Sequence, residues 1–103
     1  MGNPMKIRAT LAGEFADIKV LMRHDMETGQ RKDSAGMLVP AWYIQDVSVS
    51  VNGKLAMNAE WGPSISKDPY LALKVKGAKQ GDAVSVTWTD SKGDTRTDEV
   101  KIA

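Results

Sequence analysis

Short runs in which apolar and polar residues alternate fill most of this chain. Seven such runs are found, at residues 7–11, 18–22, 47–51, 55–59, 71–75, 84–88 and 95–102. A repeat of two residues places every apolar side chain of a run on one face, which is the pattern of a β-strand with one buried face. No run shows the 3.6-residue apolar repeat of an amphipathic helix. The pattern therefore predicts seven strands and no helix.

Turn residues separate these runs. Ala12-Gly13-Glu14 lies between the first two, and Asn52-Gly53 follows the third directly, a pair suited to the positive φ angles of a type I′ hairpin turn. Closely spaced short strands in 103 residues predict one all-β domain over residues 1–103, an immunoglobulin-like antiparallel β-sandwich of about seven strands. An antiparallel barrel is the alternative.

Composition excludes several classes of function. The formal net charge is +1, so we expect neither nucleic acid nor an acidic membrane as a partner. There is no cysteine and only one histidine, His24, which removes thiolate nucleophiles and sites that need two imidazoles. The first 20 residues do not resemble a signal peptide, and no run is long enough to span a bilayer. We predict no catalytic residue, no metal and no cofactor.

Two possible metal sites are weaker than their ordinary explanations. Met22, His24 and Met26 alternate along an extended segment and are ligands of the kind that Cu(I) prefers, which gives a copper-binding sandwich as one alternative function. The simpler interpretation is a core strand that runs into a loop. Asp90 begins an acidic segment without the calcium-loop pattern, and a solvated hairpin tip explains it better.

Two irregular segments interrupt the strand pattern, at residues 25–40 and 62–69. Loops this long in a compact domain often carry function. Two prolines in the second segment oppose strand pairing and predict a crossing between sheets.

Large side chains fall out of phase with the core rows. If the valines of run 47–51 face inward, strict alternation turns Trp42 and Ile44 outward, and the same argument turns Tyr70 outward. Exposed apolar groups of this size indicate contact with another protein. The alternative is a bulge near Gln45 that resets the phase and buries Trp42. Trp88 is in phase with its strand and is predicted to lie in the core.

The irregular segments carry a family resemblance. The run Met26-Glu27-Thr28-Gly29-Gln30-Arg31-Lys32-Asp33 is its specific part, and Asn52-Gly53-Lys54 and Ser66-Lys67-Asp68-Pro69-Tyr70 add to it. These segments resemble the Z subunit of the bacterial sulfur-oxidation (Sox) carrier complex over nearly the whole chain. Asp25 and Asp68 depart from the family pattern, which usually has proline and asparagine there.

The resemblance implies a function without catalysis. The family forms immunoglobulin-like sandwiches that pair with a Y subunit, whose C-terminal arm carries sulfur intermediates on a cysteine during thiosulfate oxidation. It implies a heterodimer, transient docking of sulfur-oxidation enzymes, and a periplasmic location reached with an exported partner. The residues expected to contact a partner are Trp42, Ile44, Tyr70, Met26, Arg31 and Lys32. A sugar- or peptide-binding accessory module remains a further alternative.

Overall fold

The computed structural model describes residues 2–103 and contains seven strands. These are β1 (Lys6–Ala12), β2 (Phe15–Leu21), β3 (Ile44–Val51), β4 (Lys54–Glu60), β5 (Tyr70–Lys76), β6 (Ala83–Asp90) and β7 (Thr95–Lys101). Each of the seven predicted runs corresponds to one strand. No part of the described chain forms a helix that is long and apolar enough to cross a membrane.

The strands form two antiparallel sheets. The first has three strands in the order β1-β2-β5, and the second has four in the order β4-β3-β6-β7. This arrangement confirms the predicted all-β sandwich. The chain changes sheets three times: between β2 and β3 and between β4 and β5, through the two segments that the sequence marks as irregular, and between β5 and β6, through residues 77–82.

The core lies between the sheets and comes mainly from the central strands β2, β3 and β6. Its fully buried side chains include Ile18, Val20, Val47, Val49, Val84, Val86 and Trp88. Every second residue is buried along β2, along β6 and over residues 47–49 of β3, so alternation alone selects these side chains. Trp88 lies in the core, as predicted.

Two tight turns follow from their residues. Gly13, with a φ of 67°, and Glu14 connect β1 to β2. Asn52 and Gly53 connect β3 to β4 with φ values of 51° and 78°, the two positive angles that a type I′ turn requires. These turns lie at the same end of the sandwich.

A bulge at Gln45 corrects one prediction. The register of β3 against β6 shifts between Ile44 and Asp46, so Gln45 is an extra residue that reverses the phase of the chain before it. Ile44 is therefore fully buried, and the prediction that it faces outward is wrong. The alternative interpretation is correct about the bulge, and its buried Trp42 is found half-buried.

The two long sides of the sandwich are closed differently. At the β1 side, the N–H of Ala103 donates to the carbonyl of Ala9 at 2.9 Å, and the N–H of Leu11 donates to the carbonyl of Ala103 at 3.3 Å. Ile102 is buried beside them. On the opposite side, β4 and β5 are edge strands of different sheets and do not pair with each other.

The long connections collect at the other end of the molecule, which we call the loop end. The register places the last residue of β2, Leu21, opposite the first residue of β5, Tyr70, and Ile44 at the start of β3 opposite Asp90 at the end of β6. Residues 22–43, 61–69 and 91–94 therefore share one end. The candidate functional site lies there.

Candidate partner-binding site

Residues 27–42 fold into a projecting hairpin that we call the hairpin arm. Glu27 and Trp42 exchange two backbone hydrogen bonds at its base, at 2.6 and 2.9 Å. Farther out, the N–H of Val39 donates to the carbonyl of Arg31 at 2.8 Å. The longest dimension of the molecule is 52 Å, whereas a strand of seven residues spans only about 23 Å. The hairpin arm accounts for much of the difference.

The tip of the hairpin arm is shaped by Asp33. Its Oδ1 accepts hydrogen bonds from the backbone N–H groups of Ala35 and Met37 at 2.9 and 3.0 Å. The backbone N–H of Asp33 donates to the carbonyl of Met37 at 2.8 Å, and Gly36 supplies a φ of 80°. A short acidic side chain followed by glycine is a typical turn combination. The sequence thus contains the turn chemistry, although its apolar pattern shows no strand here.

Two large apolar side chains are exposed just after this turn. Met37 is 67% exposed and Leu38 is 60% exposed. Adjacent exposed apolar groups on a projecting segment are typical of a protein contact surface. Sequence reasoning missed both residues. One sequence signal could have found them. They belong to an apolar run in a segment without strand alternation, and such a segment has no face that packs into the core.

A buried cluster fixes the base of the hairpin arm. His24 is 6% exposed, and its Nδ1 accepts the backbone N–H of Met26 at 3.0 Å. The proton of the neutral ring therefore lies on Nε2, which donates to Oδ2 of Asp90 at 3.0 Å. Nε1 of Trp42 donates to the same oxygen at 2.7 Å. The His24 ring also makes edge-to-face contacts with the rings of Trp42 and Trp88, at centroid distances of 4.9 and 5.2 Å.

Asp90 holds this cluster together with both carboxylate oxygens. Its Oδ1 accepts the backbone N–H groups of Lys92 and Asp94, each at 2.9 Å. Burial alone would raise the pKa of Asp90, but hydrogen bonds from His24, Trp42 and the Lys92 backbone favour the charged form and bring the pKa below its usual value. The predicted solvated hairpin tip is therefore wrong for Asp90, which is 2% exposed.

The same contacts argue against the copper site. Both ring nitrogens of His24 already take part in hydrogen bonds. The Sδ of Met26 accepts the backbone N–H of Ile44 at 3.3 Å, and Met22 is fully buried. A copper ion would have to break this network to reach its ligands. Met22, His24 and Met26 instead connect β2 to the hairpin arm.

The six predicted contact residues are divided by the structure. Ile44 and Met26 lie in the core and present no surface to a partner. Trp42 is half-buried, with its ring on His24 and the Nζ of Lys92 4.3 Å from the ring centroid. Only Tyr70, Arg31 and Lys32 are exposed.

The exposed three do not form one surface. Arg31 and Lys32 lie on the hairpin arm, whereas Tyr70 lies on the outer face of the three-stranded sheet. With Trp42 turned toward the buried cluster, Trp42 and Tyr70 do not provide the flat aromatic platform that a sugar-binding module would need.

Arg31 is held by an ion pair within the hairpin arm. Its Nε and Nη2 donate to the carboxylate of Glu27 at 3.0 and 2.9 Å. The hydrogen bond from Arg31 lowers the pKa of Glu27, and the same contact raises the pKa of Arg31. Lys32 makes no ion pair within residues 2–103. Of these two adjacent cations, Lys32 is therefore the one available to an acidic group.

Comparison with known proteins identifies a family. The family model described as sulphur oxidation protein SoxZ matches residues 5–101, which includes all seven strands and the whole hairpin arm. A comparison with curated proteins finds no match.

Proposed function

Because the chain belongs to the SoxZ family and is thus a subunit of the sulfur-oxidation (Sox) system, we propose that it is the non-catalytic half of a heterodimeric sulfur carrier. Its partner is a Y subunit whose C-terminal arm cysteine bears the sulfur intermediates of thiosulfate oxidation. The complex works in the periplasm, and this chain is exported together with its partner.

The observation that carries the proposal is the hairpin arm with its exposed apolar tip. Met37 and Leu38 gain free energy only if another protein covers them, at about 25 cal/mol per Å² of apolar surface removed from water. Residues 27–33 of the family-specific run form the first half of the same element. A sequence feature shared with the family thus coincides with the surface best suited to a partner.

The rigid base supports a docking role. The cluster of His24, Trp42 and Asp90 orders the start and end of the hairpin arm before any partner arrives. Ordering a flexible segment on binding costs affinity, so a preorganised hairpin binds more tightly than a free loop of equal sequence. Within the proposed interface, Lys32 orients the partner by charge, while Arg31 stays paired with Glu27.

Two features of the side chains support a non-catalytic role for this chain. Covalent sulfur transfer needs a thiolate, and the sequence contains no cysteine. His24 donates from Nε2 and accepts at Nδ1, so neither nitrogen is available as a base for substrate. Sulfur chemistry is accordingly assigned to the partner's cysteine and to the enzymes that dock on the complex.

The interface is tested by measuring the pairing of this chain with a Y subunit. Met37→Ser combined with Leu38→Ser should weaken the heterodimer at least 30-fold in titration calorimetry, because the apolar contact is lost. Leu55→Ser is the matched control, since Leu55 is also 60% exposed but lies on β4 next to the turn at the opposite end. A loss of pairing with Leu55→Ser alone would move the interface to β4.

The assigned role has its own test. When the heterodimer is incubated with thiosulfate and the oxidising enzymes, mass spectrometry should detect sulfur adducts on the Y subunit and an unchanged mass for this chain. An adduct on this chain, or failure of the wild-type chains to pair, would contradict the proposed function.

A further inference from the structure

The near-neutral net charge of the chain hides a strong separation of charge between its two sheets. Antiparallel pairing of β1, β2 and β5 brings the outward-facing residues of three strands onto one surface. Its five cations, which we call the basic face, are Lys6, Arg8, Lys19, Lys74 and Lys76. The single carboxylate on this surface within the strands is Asp17.

These cations lie close together because of the register. Arg8 and Lys19 are direct cross-strand partners, and Lys74 is two residues before Lys76 on the neighbouring strand β5. Strands are about 4.8 Å apart, and residues on one face of a strand repeat about every 6.8 Å. Like charges at these distances repel each other, so the basic face is stabilised by any anionic surface that covers it.

Most of these charges have no acidic partner within the chain. The ammonium of Lys76 lies 3.9 Å from the carboxylate of Glu14, and both side chains are exposed. The other four cations make no ion pair within residues 2–103. An approaching anionic group therefore does not have to displace an existing salt bridge.

The opposite sheet has a different character. Its outer surface carries the acidic residues Asp46, Glu60 and Glu99 with one base, Lys101. Between them lie the hydroxyl residues Ser48, Ser50, Ser85, Thr87, Thr89, Thr95 and Thr97. The basic face is thus a property of one sheet.

Apolar groups among the cations indicate the kind of partner. Tyr70 is 61% exposed, and Leu21 and Phe15 are 37% and 38% exposed on the same surface. Nucleic acid backbones attract cations but do not bury leucine or phenylalanine, whereas protein interfaces combine both. We propose that the basic face is a second docking surface, separate from the hairpin arm, for a protein with an acidic surface.

The size of the surface predicts a transient contact. Three strands of seven residues cover on the order of 350 Å². A stable interface buries about 800 Å² per partner, so this contact is short-lived and is assisted by charge steering. A reversible contact suits a protein that visits the chain while the hairpin arm stays bound. The basic face does not depend on the proposed pairing with a Y subunit.

The test uses the full chain and an acidic polypeptide as probe, a random copolymer of glutamate and tyrosine. NMR titration in 50 mM salt should shift amide signals of β1, β2 and β5, and 0.5 M salt should abolish binding. Lys19→Glu with Lys74→Glu should weaken binding at least tenfold. Lys54→Glu with Lys101→Glu, two exposed lysines outside the basic face, should change it less than twofold.

One further double variant and two other probes decide the class of partner. Leu21→Ser combined with Tyr70→Ser should weaken binding of the copolymer about threefold to tenfold, because apolar contacts are lost. A 20-base-pair DNA duplex or a phosphatidylglycerol vesicle that binds at least as tightly, and is unaffected by that change, would overturn the proposal in favour of a purely anionic ligand. Shifts confined to other strands, or self-association through the acidic sheet, would also overturn it.

Discussion

At the scale of single residues, the carboxylate of Asp90 determines how the loop end is built. It accepts hydrogen bonds from two side chains and two backbone groups, and every one of these donors belongs to a segment without regular structure or to the base of the hairpin arm. A polar residue at the end of a strand has no sequence signature that distinguishes this role from a solvated turn. Its function in the fold was therefore not predictable.

Removal of the Asp90 carboxylate should be among the most destabilising single changes in the loop end. Asp90→Ala leaves the Nε2–H of His24 and the Nε1–H of Trp42 without an acceptor in a buried site, so we expect a loss of about 3 kcal/mol in the free energy of unfolding. Urea denaturation followed by tryptophan fluorescence measures it. Asp46→Ala, at an exposed carboxylate, is the control, with a change of about 0.5 kcal/mol or less.

The same carboxylate gives a pH dependence of known sign. The pKa of Asp90 is lower in the folded chain than its ordinary value, so its contribution is complete above about pH 4 and is lost as the pH falls through the folded pKa. Wild type should exceed Asp90→Asn in stability at pH 7, and the difference should shrink below pH 4. A constant difference from pH 7 to 2.5 would contradict it. Asp98, with a pKa lowered by Arg96, leaves some acid sensitivity in the variant.

At the scale of elements, the strands and their turns were predictable, whereas the bulge at Gln45 was only one of two interpretations that the sequence left open. Strand alternation and Asn52-Gly53 act locally, so each is visible in a few residues. The bulge at Gln45 inserts one residue and reverses the phase before it, so strict alternation assigned the wrong side to Ile44. The hairpin arm has backbone pairing but no buried face. Its residues therefore do not alternate between apolar and polar, and the sequence pattern does not predict its pairing.

The Asn52-Gly53 turn provides a matched test of backbone conformation. Gly53→Ala should cost about 1 kcal/mol, because Gly53 has a φ of 78° and a side chain strains that angle. Gly62→Ala is the control: a methyl group meets open space at both positions, but Gly62 lacks a positive φ. Thermal denaturation of the two variants compares them, and equal losses would show that the positive φ of Gly53 does not determine the cost of its substitution.

At the scale of the whole molecule, charge is separated between the sheets although the composition is nearly balanced. The outward phase of Lys74 and Lys76 was visible in the sequence. That Arg8 and Lys19 share a surface with them was not visible, because β2 pairs with β5, a strand that is distant in the chain. The net charge therefore indicates that the whole molecule has no large electrostatic field, but it gives no information about a local cluster of charge such as the basic face.

The last residues of the chain, Ile102 and Ala103, close the β1 side of the sandwich and should contribute strongly to its stability. Ile102 is 2% exposed, and Ile102→Ala should lower the free energy of unfolding by about 3 kcal/mol through the cavity it leaves. Val100→Ala, at a half-buried position on the same side, should lose less than half as much. Chemical denaturation distinguishes them. Equal losses would show that the end of the chain does not seal the core.

The unequal closure of the two long sides also gives the molecule a direction of opening. Backbone hydrogen bonds of Ala103 tie the β1 side together, whereas β4 and β5 are free to separate from each other. Local fluctuations in the native state begin where the fewest bonds must break. Amide protons at the β4 edge should therefore exchange with solvent through small openings, while those around Ala9 and Ile102 exchange only when the whole domain unfolds.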